Sequence, residues 1–264
     1  MELRKQRERE LHNLLRDKEL LSSRDFEYYT SNKKWYSIVR SSRTFFEKWL
    51  IKKTPHKRVL DYCCGNGSFS LRIAKIGTTE VIGIDISNIS IENARKSAVK
   101  ERADNKIRFI IMDAENMKFD SGTFDIIYEA GALHHLNLER AYSEIARVLK
   151  PDGECICMEA LGNNPIIRYY RKRTPHLRTE WEVEHILWKK DIERARLFFN
   201  KIEILRFFHL ATIPAVLFRN FPGFNTLLSA LEVLDKVLLK LPILKWQAWQ
   251  VIFVLSKPIK NSKR

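Results

Sequence analysis

The sequence predicts an α/β fold, a doubly wound and mostly parallel seven-stranded sheet with a helical N-terminal extension and a helical insertion before the last strand. Three observations carry this. Four apolar runs each end in a carboxylate: Val59-Leu60 at Asp61, Val81–Ile84 at Asp85, Ile107–Met112 at Asp113 and Phe124–Tyr128 at Glu129. A glycine turn, Gly65-Asn66-Gly67, joins the first run to a helical pattern opening near Ser68. Asp85 lies 20 residues past Gly65 (85 − 65), the offset at which an acid meets ribose hydroxyls in nucleotide-binding sheets. Taken alone, the two glycines also fit an ordinary tight turn.

Residues 1–24 carry opposite charges at helical spacing and predict an exposed helix. An aromatic segment follows: Phe26, Tyr28, Tyr29, Trp35, Tyr36, Phe45, Phe46 and Trp49. Ile38, Val39, Phe46, Trp49 and Leu50 recur near a 3.6 period and predict a helix over 34–52. The helix after the glycine turn buries Phe69, Leu71, Ile73 and Ala74 and stops at Gly77. Ser87 is the N-cap candidate for a helix to about Ala103. Leu138–Leu149 is the next helix, closed by Pro151-Asp152-Gly153, and Glu154–Met158 is the fifth strand, with Glu159 at its end. A short helix over Ile192–Phe199 leads to a strand at Lys201–Phe208, and Gln250–Ser256 closes the sheet before a basic tail.

Between these strands lie two unusual stretches. Residues 163–178 are basic, with Arg168, Arg171, Arg173 and Arg178 as candidates to bind an anionic substrate, and Glu180, Glu182, Glu184 and His185 follow. Thr226–Leu241 predicts an amphipathic helix with Leu227, Leu231, Leu234 and Leu238 on one face and Ser229, Glu232, Lys236 and Lys240 on the other. That helix suits packing on the domain, covering the substrate or lying on a membrane surface.

Five ordered motifs, V-L-D-Y-C-C-G-N-G, V-I-G-I-D-I-S, M-D-A-E-N-M-K-F, F-D-I-I-Y-E-A-G-A-L-H-H-L and R-V-L-K-P-D-G-E, resemble those of class I methyltransferases that use S-adenosylmethionine (SAM). They cover about residues 57–160. The resemblance implies a Rossmann-like SAM-binding core at 56–160, an N-terminal extension at 1–55 over the cofactor mouth, and a substrate-side region at 161–264. It also assigns cofactor contacts. The Gly65–Gly67 amides with Asp61 beneath take the amino-acid end, and Asp85 the ribose, with Ile86 flanking adenine. Asp113 and Ala114 take the adenine amino group, and Glu129 lies near the sulfonium. The family usually has glycine where Cys63 stands, which bears on the backbone of this turn. L-G-N-N-P, T-P-H-L-R-T and E-H-I-L are similar to a subgroup of bacterial methyltransferases of poorly defined substrate.

For proton removal the sequence offers His134, His135 and Glu159. The expected reaction is methylation of a small molecule, at oxygen by base rate, with an anionic, sugar or lipid-linked acceptor. RNA or protein methylation and a non-catalytic SAM-binding scaffold are the alternatives. The net charge of +15 suits an anionic partner or an acidic membrane. Against RNA, the fourth strand ends E-A-G-A rather than in a Pro-Pro-aromatic turn. Cys63, Cys64, Cys155 and Cys157 read as reduced thiols, and no metal site is expected, since ligand spacing is lacking. No apolar run of 18 residues or leader pattern appears, so the expected place is the cytoplasm, with peripheral membrane contact open.

Overall fold

The computed structural model describes residues 2–17, 31–103 and 105–260. Phe26, Tyr28 and Tyr29, the end of the expected first helix and the last residues of the basic tail lie outside them. The strands are β1 (Arg58–Tyr62), β2 (Glu80–Asp85), β3 (Ile107–Ile111), β4 (Phe124–Ala130), β5 (Leu149–Ala160), β6 (Phe199–Phe208) and β7 (Gln250–Pro258). They form one sheet in the order β3-β2-β1-β4-β5-β7-β6. β1 to β5 are parallel, and β7 runs antiparallel between β5 and β6. The order reverses at β1 and β4, so a crevice opens beyond their carboxyl ends, where doubly wound sheets bind ligands.

The helices are α1 (Leu3–Arg16), α2 (Arg40–Lys53), α3 (Ser68–Ala74), α4 (Asn88–Lys100), α5 (Leu138–Val148), α6 (Pro165–Arg173), α7 (Glu180–Glu184), α8 (Lys189–Glu193) and α9 (Phe224–Leu238). Ser87 caps α4 by accepting from the Ser90 N–H at 3.0 Å, as its sequence position predicts. Asn137 and Asn164 cap α5 and α6 in the same way. Apolar side chains cover both faces of the sheet. One layer contains Leu60, Ile82, Tyr142, Ile145 and Phe253, and the other Phe46, Leu50, Val59, Ile91 and Phe109. Fully apolar strands such as Val81–Ile84 are what a parallel sheet covered on both sides requires.

Several sequence expectations change. The helix over 34–52 is a 3-10 turn at Ser31–Ser37 followed by α2. The helix over 192–199 is the short α8 and a 3-10 turn at Arg194–Leu197. α1 is not a solvated helix, because Lys5 and Glu8 are buried. Its charges find partners on the strand-end loops, a long-range complementarity that helical spacing cannot show. On α9 the expected faces are misassigned. Leu228, Leu231 and Asp235 turn toward the domain, while Leu227, Val233, Leu234 and Val237 are exposed. Asp235 is drawn inward because its carboxylate accepts from the Leu210 and Ala211 N–H groups at 3.0 and 2.6 Å and from the Thr212 hydroxyl at 3.1 Å.

Candidate functional site

The turn after β1 is built for close approach. Gly67 has φ +71°, and a Cβ there would lie 2.5 Å from the Phe109 ring. Gly65 has φ +52°. Cys63, at φ +59°, holds a left-handed conformation that L residues rarely adopt, which explains the glycine usual at this place. Its side chain lines the cavity with Gly65, Asp85, Ile86, Asp113 and Ala114. Asp85 receives the Gly65 and Ser87 N–H groups, each at 2.8 Å, so it ties the two strand-end turns together. Asp61 lies underneath, buried, and accepts from the Ser70 hydroxyl at 2.6 Å. Burial raises its carboxyl to about 7.

Glu129 differs from expectation. It does not line this cavity; it is fully buried and accepts from the Ala132 N–H at 3.0 Å. Burial first, and then Glu159, push its pKa well above the ordinary glutamate value. Glu115, which the sequence reading missed, lines the cavity instead.

α1 closes this cavity from above, with Arg4, Lys5, Glu8, His12 and Arg16 among its lining. Lys5 Nζ is 2.7 Å from Asp113 Oδ2 and 3.0 Å from Glu115 Oε2. The Arg16 guanidinium lies 3.5 Å from the place a Gly65 Cβ would take. The cavity left beneath measures about 130 Å³. Ligand sites typically measure about 300–1,000 Å³. The glycine turn and the carboxylates fit the polar groups of SAM, but side chains of α1 must withdraw to admit it.

A second cavity of about 470 Å³ adjoins the first. Ala130, Gly131, His12, Arg16 and His135 line both. Its wall carries the aromatic rings of Trp35, Tyr36, Phe69, Tyr170 and Trp249 beside the charged Arg16, Arg43 and Glu182. Trp35 packs edge-on against Tyr170 and Trp249 at 5.0 and 5.6 Å. Trp35 Nε1 and the Tyr170 hydroxyl are buried without a hydrogen-bond partner among the described residues.

His134 stands in this wall. Its Nδ1 is 2.8 Å from Glu159 Oε2, and Glu159 Oε1 accepts from the Leu133 N–H at 2.6 Å. Burial would raise the Glu159 carboxyl, but His134 and the other hydrogen bonds outweigh it and the net shift is downward. Glu159 thus holds the His134 ring by Nδ1 and turns Nε2 toward the cavity, where it lies 3.9 Å from Glu182 Oε1. Glu159 itself is fully buried and lines neither cavity. Of the four arginines, Arg171 and Arg178 reach the cavity, and both pair with Glu182, at 3.5 and 3.4 Å. Arg168 lies over the Trp188 ring and Arg173 over Tyr169, outside either cavity. His185 stacks on Trp181 and takes no part.

Where the two cavities meet, His135 Nδ1 lies 3.1 Å from Glu8 and 3.7 Å from Glu182. Metal-type ligands do converge here: the ligand atoms of Glu8, His12 and His135 lie within 4.8 Å of one another, as do those of His134, His135 and Glu182. Burial depresses His135, but Glu182 and Glu8 outweigh it and raise its pKa to about 9. A proton held more tightly in the folded state stabilises it fully below the unfolded pKa of about 6.5 and is lost as pH rises through 9. The docking of α1 is therefore expected to loosen between pH 7 and 9. Proteolysis at α1 should accelerate over that window in the wild type, and His135→Gln should flatten the dependence. Equal pH profiles would contradict the assignment.

The comparisons agree with this geometry. A methyltransferase-domain family model matches residues 59–153. Sterol 24-C-methyltransferase erg6 of Aspergillus fumigatus is 38% identical over 97 residues, 36% of this chain and 26% of that protein. Demethylmenaquinone methyltransferase of Symbiobacterium thermophilum is 33% identical over 137 residues, 48% of this chain and 53% of that protein. The chain thus spans about a quarter to a half of the length of these relatives. Geranyl diphosphate C-methyltransferase from Streptomyces coelicolor A3(2), solved with Mg2+, geranyl diphosphate and S-adenosyl-L-homocysteine, has a TM-score of 0.59 at 15% identity, covering 82% of this chain and 77% of that one. Strand order, glycine turn and matched region converge: residues 59–153 match a methyltransferase domain, set in a sheet that shares its fold with a solved methyltransferase.

Proposed function

We propose that the protein transfers the methyl group of SAM to an oxygen of a small, largely apolar acceptor held in the aromatic cavity. The observation that carries this reading is the junction at Ala130 and Gly131, where the SAM-type cradle opens into the aromatic cavity beside His134. Bound SAM would supply an electrophilic methyl on a sulfonium. The residues of this chain do the rest. Gly65, Gly67 and Asp85 hold and orient the cofactor, with Asp113 and Ala114 at its adenine. The aromatic walls hold the acceptor in line and keep water out. His134 Nε2 takes the hydroxyl proton as the oxygen–methyl bond forms, and Glu159 stabilises the resulting imidazolium.

The unpartnered Trp35 Nε1 and Tyr170 hydroxyl suit one or two polar atoms on an otherwise apolar molecule. Glu182 pairs with both Arg171 and Arg178, so one carboxylate offsets one of their two charges, and burial, the largest influence, lowers Arg171 to about 10. An acceptor bearing many charges is therefore disfavoured, which narrows the four-arginine expectation. Such an acceptor partitions into lipid, so the same reading places the protein at a membrane surface. The test is transfer of tritium from methyl-labelled SAM into fractionated cell extract. Label should enter the organic-extractable small-molecule fraction; label confined to RNA or protein would overturn the reading.

A further inference from the structure

We infer that α9 and its flanks dock on an acidic lipid surface, through an apolar stripe that inserts and a cationic groove beside it that receives lipid headgroups. The inference rests in part on the proposed apolar acceptor but is carried by its own surface.

α9 wears its apolar side outward. Leu227, Ala230, Leu234 and Val237 recur at intervals of three and four, so they share one face, and Leu241 follows just beyond the helix. All are exposed, Val237 to 60%. Val233, exposed to 59%, widens the stripe. Leu217 and Phe221 before the helix are exposed to 79% and 69%, and Ile243 beyond it to 82%. A contiguous apolar surface of this kind marks an interaction site, whereas single exposed apolar residues do not.

Charge decides the occupant. The helix has two acids. Arg40 holds Glu232 at 2.9 Å, and Asp235 faces inward. Lys236 and Lys240 form no ion pair among the described residues. Both also line a groove of about 860 Å³ that contains Lys48, Arg206 and Lys245. A second copy of this chain would bring like charges together, and an uncharged bilayer would leave the groove without counter-charge. An anionic headgroup layer over acyl chains satisfies both features, since amphipathic helices bind by apolar insertion plus attraction to acidic lipid. No helix among the described residues is long and apolar enough to cross a membrane, so the contact is peripheral.

The surface also adjoins the acceptor cavity. Leu228 and Leu231, on the inner side of α9, pack with Trp35, Val39 and Trp249, which line that cavity.

Sedimentation with vesicles of phosphatidylcholine alone, and with a third phosphatidylglycerol, tests the inference, with SAM calorimetry on the same samples. The wild type should bind the mixed vesicles at least tenfold more tightly than the neutral ones. Leu234→Glu with Val237→Glu should lose at least tenfold on the mixed vesicles. Lys236→Glu with Lys240→Glu should remove most of the preference for acidic lipid. All variants should bind SAM as the wild type does, which separates failed docking from a failed cofactor site. Absence of vesicle binding, equal binding to both compositions, or a concentration-dependent dimer abolished by Leu234→Glu would overturn the inference.

Discussion

Replacing Gly67 by valine is expected to abolish measurable SAM binding and to destabilise the fold by about 3 kcal/mol or more. Two costs add. A non-glycine residue held in a sparsely populated backbone region costs about 1–3 kcal/mol, and valine, branched at Cβ, is among the poorest at φ +71°. The Cβ would also lie 2.5 Å from the Phe109 ring and 3.1 Å from the Ala94 Cβ, both in the packed layer between β3 and α4. Overpacking of a core typically costs about 1–3 kcal/mol. Thermal unfolding gives the stability and calorimetry the binding. A variant that binds SAM normally would show that the turn is not the cofactor cradle.

His134→Gln is expected to lower kcat on the order of a hundredfold, the range for loss of a positioned base, while SAM affinity stays within about twofold. Glutamine keeps polarity but cannot carry the proton. Glu159→Gln should act in the same direction, because the amide no longer stabilises the imidazolium held 2.8 Å away. His135→Gln separates the neighbours: its ring is committed to Glu8 and Glu182, so its loss should disturb closure of α1 more than turnover. The reverse pattern, with His135→Gln inactive and His134→Gln active, would move the base to His135.

The residues that proved legible in the sequence are those whose role is local. Gly65 and Gly67 announce a turn, Val81–Ile84 a buried parallel strand, and Asp85 and Asp113 sit where such strands end. The acceptor side was less legible because its logic is long-range. Nothing near Lys5 shows that it will meet Asp113, or near Glu8 that it will meet His135, so α1 read as a solvated helix. The stripe on α9 has a clear period, but periodicity does not say which face turns inward. Asp235 settles that through the backbone at 210–211, far away in sequence. Likewise Arg168 and Arg173 look like Arg171 and Arg178 in sequence, and only the fold separates them: Arg171 on α6 and Arg178 beyond it reach the cavity, while Arg168 and Arg173 lie over Trp188 and Tyr169 outside it. His134, His135 and Glu159 look alike as candidate bases in sequence, and only the fold shows that Glu159 lies 2.8 Å behind His134 Nδ1.

Titration calorimetry of SAM into the wild type and into Asp85→Ala tests the central claim most directly. Asp85 is predicted to accept the ribose hydroxyls, and a hydrogen bond to a charged group contributes roughly 1.5–3 kcal/mol. The account predicts one SAM per chain in the wild type and binding weakened about tenfold or more in the variant. No binding by the wild type, or equal affinity in both proteins, would contradict it.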